Sequence, residues 1–157
     1  MIEVRSMYQI CSGQPVSAGL FSSVMIPQEP VVFLATDQEN DYYLYRQALY
    51  EACPTAVLYF FGRKDELVQG LQNTVFPLPS LLILDWKMAD RQGYALLNQL
   101  RQTPAWQAIP VVIMDSDPPS VDQQKCREAG YEIVLPPEKT YENLVERLRG
   151  LAHALIL

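Results

Sequence analysis

Residues 81–84, Leu-Leu-Ile-Leu, run without a polar interruption straight into Asp85. A strand with one wet face alternates apolar and polar side chains, so a run with no alternation reads as a strand buried on both faces. Four other short runs share this character: VVFLAT (31–36), AVLYFF (56–61), VVIMD (111–115) and EIVL (132–135). Strands buried on both sides need helices to cover them, and the segments between these runs have helical spacing. NDYYLYRQALYEA (40–52) sets Leu44, Ala48, Leu49 and Ala52 on one side. Asp41 stands at its start, where the helix dipole favours an acid, and Pro54 ends it. KDELVQGLQN (64–73) reads as a second helix, weakened by Gly70. GYALLNQLRQ (93–102) spaces Leu96, Leu97 and Leu100 for one face. SVDQQKCREAG (120–130) closes on Gly130, the residue type favoured just past a helix end. TYENLVERLRGLAHALIL (140–157) repeats Leu144, Leu148, Leu151 and Leu155 along one stripe.

Short apolar strands alternating with helices predict a parallel sheet covered on both faces and joined by right-handed crossovers. In such sheets ligands sit beyond the carboxyl ends of the strands. Asp85 ends the third strand, Asp37 follows the first and Asp115 closes the fourth, so three carboxylates fall at one edge. Closely spaced carboxylates suit a hard divalent ion such as Mg2+, and a metal-flanked Asp can attack phosphorus to form an aspartyl phosphate. A single Asp at a strand end is ordinary capping chemistry. Three at one edge favour a site.

The rest of the composition narrows the function by exclusion. The chain has 157 residues and a net charge of −6, with Lys and Arg scattered, so no nucleic-acid surface is expected. No segment offers the roughly 18–20 unbroken apolar residues of a membrane span. Residues 1–28 show no clear period and a Gly/Ser-broken middle, a poor secretory signal. They read as an extension, partly ordered at best, before a domain over 29–157. Cys11, Cys53 and Cys126 are far apart, which fits small buried hydrophobes in a reducing cytoplasm rather than a disulfide or zinc framework. The one histidine, His153, sits in the final helix, so catalysis by a His cluster or triad has nothing to use. Neither GxGxxG nor GxxxxGK[ST] occurs, which weighs against a small-molecule or nucleotide binder on a similar sheet.

With these residues in hand, the chain resembles the receiver domain of bacterial two-component response regulators, of the stand-alone type, over about residues 31–155. DWKMADRQGYALLNQLR is similar to the family's D-x-x-M-P-x-x-x-G and its following helix. IPVVIM, ATDQENDYYLYRQAL and REAGYEIVLPP are similar to the fourth strand, the acidic turn with its helix, and the approach to the family's Lys-Pro. The resemblance implies a flavodoxin-like (βα)5 doubly wound sheet of five parallel strands in the order 2-1-3-4-5. It places Asp85 at the phosphoacceptor position, Asp37 at one of the paired Mg2+ acids, and Lys87 where a backbone carbonyl completes the metal site. Met88 and Gly93 match the family's Met and Gly.

The departures from that pattern carry the functional expectation. Thr36 stands where the second metal acid belongs, and Asp115 where the family's Thr or Ser hydroxyl hydrogen-bonds the phosphoryl group. An anion there repels a phosphoryl group by ~4 kcal/mol at 4 Å and an effective dielectric of ~20. The family's Lys falls at Pro136 or Pro137, its switch aromatic at Val134 or Ile133, and Ala89 replaces the usual Pro. The Lys87 ammonium could fill the cation site or simply be a solvated loop lysine; Lys139 and Asp115 are further candidate substitutes. The resemblance therefore implies a non-enzymatic, cytoplasmic signalling module with a weakened or absent phosphorylation switch and weak or absent Mg2+. Its partners would be a histidine kinase, a phosphotransfer protein or another regulator, with a homodimer through residues 120–157 as a further contact. A working Mg2+-dependent phosphoacceptor is the alternative.

Overall fold

The computed structural model of the chain describes residues 3–5, 29–73, 76–90, 95–114, 123–128, 134–135 and 140–156. The elements are β1 (Glu3–Arg5), β2 (Val31–Ala35), α1 (Glu39–Ala52), β3 (Val57–Phe61), α2 (Lys64–Gln72) and β4 (Leu81–Asp85). They continue with α3 (Trp86–Asp90), α4 (Ala95–Gln102), β5 (Val111–Met114), α5 (Gln123–Glu128), β6 (Val134–Leu135) and α6 (Tyr141–Leu155).

The strands form one sheet in the order β1-β3-β2-β4-β5-β6. The five strands from β3 to β6 are parallel, as the apolar runs predict, and lie in the doubly wound order 2-1-3-4-5 that the resemblance implies. A sixth strand was not legible in the sequence: β1 pairs antiparallel with β3, Val4 opposite Tyr59. Three residues, two of them charged, carry no readable period.

Alternation along each buried strand feeds two cores. Val32 and Leu34 of β2, Leu58 of β3 and Leu81 and Ile83 of β4 face the layer of α1 and α6. Phe33 and Ala35, Phe61, and Leu82 and Leu84 face the layer of α2 and α4. Both faces are apolar, so no face is left to alternate with polar residues. Leu96, Leu97 and Leu100 are buried, as their spacing predicts, and so are Leu144, Leu148 and Leu151. Cys53 is buried with a free thiol, consistent with a small core hydrophobe.

Three local expectations change. The buried stripe of α1 is Tyr42, Tyr45, Ala48 and Leu49, while Leu44 is 43% exposed. Tyrosines have an apolar body and a polar tip, so a Tyr-rich helix does not declare its face by hydropathy alone. The stretch after Asp85, expected as a loop, is the short helix α3. Gly70, read as a weak point of α2, is a packing requirement: a Cβ there would lie 2.5 Å from Cε1 of the fully buried Phe61. Glycine lets α2 approach β3 where any side chain would collide.

Candidate functional site

The carboxyl edge of the sheet gathers residues from three elements. Asp85 is the last residue of β4 and only 4% exposed. Thr36 follows β2 and is fully buried. Its backbone N–H donates to the Phe61 carbonyl at 3.1 Å, which fixes the turn to the neighbouring strand. Asp41 comes from the first turn of α1 and is partly buried. Asp37 lies between them, exposed, and accepts from the Gln38 side-chain amide at 3.0 Å.

Thr36 is the hub. Its hydroxyl stands 3.3 Å from Oδ2 of Asp85 and 3.5 Å from Oδ2 of Asp41, and it accepts from the Gln38 backbone N–H at 3.1 Å. The other oxygen of Asp85, Oδ1, accepts from the Lys87 backbone N–H at 3.1 Å. One oxygen of Asp85 thus holds a backbone hydrogen bond, and the other competes with Asp41 for the single Thr36 hydroxyl proton.

The electrostatics follow from burial among acids. Burial pushes the Asp85 carboxyl above the ordinary Asp range. The Lys87 N–H and the Thr36 hydroxyl pull it back, while the Asp37 and Asp41 charges push it further up. Asp41 is raised in the same way, by burial first; its Thr36 contact and the Lys87 ammonium oppose this, and Asp37 adds to it. The exposed Lys87 is therefore felt at Asp41.

The structure brings Thr36, Asp37 and Asp85 to one place. Asp115, Pro136, Pro137, Ile133, Lys139 and Gly93 lie outside the described residues, and Val134 is described as a β6 strand residue only. Met88, the family-pattern methionine, is buried in the α2/α4 core. Asp41 is the residue the sequence did not assign to the site. It read as a helix-start acid, and the one available signal was its place in the first turn after a strand's carboxyl end.

The donors that the resemblance implies, the Asp37 and Asp85 carboxylates and the Lys87 carbonyl, are hard oxygens of the kind that suits Mg2+. Among the described residues, however, no three acidic, His or Cys side chains stand close enough together to hold a metal ion. The Asp41 and Asp85 carboxylates with the Thr36 hydroxyl between them make a weaker site than three convergent acids.

Comparison with known proteins finds partial sequence relatives and solved structures of the same fold. No family model matches the chain. It is 33% identical over 84 residues to the two-component response regulator ARR7 of Arabidopsis thaliana, covering 53% of this chain and 40% of that protein. It is 38% identical over 73 residues to ARR5 of the same plant, covering 45% of this chain and 38% of that protein. The chain thus spans well under half the length of these curated relatives. Among solved structures, it superposes on a response regulator of red-light signalling in R. palustris with a TM-score of 0.70 and 20% identity, covering 81% of this chain and 94% of that one. The Mn(2+)-bound form of response regulator Rcp1 gives a TM-score of 0.68 at 21% identity, covering 81% and 95%. The phosphorylated cyanobacterial phytochrome response regulator RcpA gives 0.68 at 17%, covering 82% and 95%.

Proposed function

We propose that this chain, a receiver domain of the two-component response-regulator family, works in phosphorelay signalling as a protein-docking module whose phosphorylation switch is impaired. The observation that carries this reading is the state of Asp85. Its Oδ1 already accepts from the Lys87 N–H and its Oδ2 shares the single Thr36 hydroxyl proton with Asp41, and its charge is disfavoured by burial and by two neighbouring acids. A nucleophile so engaged attacks phosphorus less readily. Thr36, standing where the pattern has an acid, also removes one metal ligand.

On this reading Asp85 is the phosphoacceptor position, and Asp37, Asp85 and the Lys87 carbonyl are what remains to hold Mg2+. The ion, when bound, neutralises phosphoryl charge. The chain's part in transfer is for an Asp85 oxygen to form the P–O bond as the donor's P–N or P–O bond breaks and the leaving group takes a proton. Asp115 would add an anion facing that group, and Pro136 or Pro137 would leave it without a cation. Among described residues no helix is long and apolar enough to cross a membrane. The chain is, on the same reading, a cytoplasmic, non-enzymatic partner of a histidine kinase, phosphotransfer protein or second regulator, with no nucleic acid or membrane as ligand. The contact face would be residues 120–157, which could also pair two copies, and the domain proper would be 29–157. The alternative, a working Mg2+-dependent acceptor, is favoured by the survival of Asp37 and Asp85 together at the edge. A flavodoxin-like small-molecule binder is the remote third reading.

Intact mass after incubation with Mg2+ and a small phosphoryl donor separates them, with Asp85→Asn as control. Little or no phosphoryl-sized gain in the folded protein, rising in Asp115→Thr, is expected. A stoichiometric gain in the unaltered chain, lost in Asp85→Asn, would establish the working acceptor instead.

A further inference from the structure

One edge of the sheet is closed by a strand of unusual brevity. β3 is Val-Leu-Tyr-Phe-Phe, five apolar residues without charge, Gly or Pro. A segment of that composition with a free row of backbone N–H and C=O groups is a template for another strand. β1 covers that row with only three residues, Glu3–Arg5, aligned opposite Leu58, Tyr59 and Phe60. β1 itself has the character with which natural sheets blunt an edge, being very short and charged at two of its three positions. Its hold is slight. Three paired residues contribute few ladder bonds, against five paired residues on the other side of β3.

We propose that β1 is a displaceable guard on the β3 edge, and that its release lets a second copy of this chain dock there, β3 against β3, across a two-fold axis. The occupant is argued from the pairing already present. β1 runs antiparallel to β3, so the edge accepts an antiparallel strand. β3 is antiparallel to itself under a two-fold operation, which makes the contact self-complementary and closed. In the register that β1 uses, Val4 opposes Tyr59. A second β3 centred where β1 is centred sets Tyr59 near the axis and Leu58 opposite Phe60 of the other copy. β1 and β6 end the sheet on opposite sides. This surface is thus separate from the face at residues 120–157 and independent of whether Asp85 takes a phosphoryl group.

The test uses the full chain carrying Val4→Pro, which removes a backbone donor from the strand and disfavours it. Light scattering across a dilution series should read a monomer for the unaltered chain. For Val4→Pro it should read about twice that mass at high concentration, with Leu58–Phe60 amides protected from hydrogen exchange in the dimer. A synthetic peptide of residues 1–8 added in excess should return the variant to monomer. A Val4→Pro protein that stays monomeric throughout, whatever its exchange, overturns the proposal. So does an unaltered chain that is dimeric and becomes monomeric in the variant, which would mean β1 is exchanged between copies. Far-UV circular dichroism checks the fold. If Val4→Pro does not fold, Val4→Gly, which weakens the strand without removing its N–H, takes the same readouts.

Discussion

Leu84 and Asp85 are consecutive residues of β4, both almost wholly shielded from water, and they answer to opposite forces. Leu84 lies in the α2/α4 core among Phe33, Leu67 and Leu97, and every contact there is favourable. Asp85 is held by a hydroxyl and one backbone N–H, with two further acids close enough to raise its pKa. One step along a strand thus passes from a region that stabilises the fold to one that the fold must tolerate. Function-bearing edges are where such tolerance is expected, because groups there are placed for chemistry or recognition rather than for packing.

The comparison breaks most visibly on its apolar side. Leu84→Ala should cost about 2–5 kcal/mol, read as a fall in the denaturation midpoint with an unchanged slope. A cost near zero would mean the α2/α4 layer is loosely packed. Gly70→Ala comes next, at about 1–3 kcal/mol of destabilisation from the collision with Phe61, although alanine is the better helix former by about 1 kcal/mol. A stabilised Gly70→Ala protein would show that the Phe61 ring can move.

The polar side gives smaller effects, of both signs. Thr36→Val keeps the shape and removes the hydroxyl, leaving a buried carboxylate short of a donor, at about 1–3 kcal/mol. The loss should be greatest at neutral pH. Asp85→Asn should do the reverse and raise Tm at pH 7 by about 2–4 °C, the shift that about 1 kcal/mol makes in a chain of this size. The sign follows from the raised pKa. The fold disfavours ionised Asp85, so the unaltered protein regains stability as pH falls through the raised value. The advantage of Asp85→Asn should therefore shrink on acidification and vanish below the ordinary Asp value of 3.8, where Asp85 is protonated folded and unfolded. A gain that persists unchanged at low pH would trace to packing instead of charge.

How much of this could be read from the chain depends on which force placed each residue. The parallel strands were legible because burial on both faces removes polar alternation, as in Leu81–Leu84. The two leucine helices, α4 and α6, were legible because their stripes are aliphatic. The α1 stripe was misjudged, with Leu44 exposed and Tyr42 and Tyr45 buried, because tyrosines stand at 42, 43, 45 and 50 and hydropathy does not rank them. β1 and α3 are too short to show a period. At the site, strand-end positions gave Asp37 and Asp85 from spacing alone, and the resemblance gave Thr36 as a replaced acid. Asp41 was hidden because its role depends on where α1 starts relative to β4, a tertiary fact. Gly70 was misread for the same reason: its partner, Phe61, is on another element.

Thr36 has one proton and two carboxylates to give it to, at 3.3 Å on β4 and 3.5 Å on α1. It cannot serve both at once. Rotation about a single side-chain bond moves that proton from one to the other. Neutralising either acid, by protonation, by a bound cation or by a covalent group, frees the hydroxyl for its rival. The strand and the helix are therefore joined by a transferable bond, and the orientation of one buried hydroxyl follows which of the two acids carries the charge.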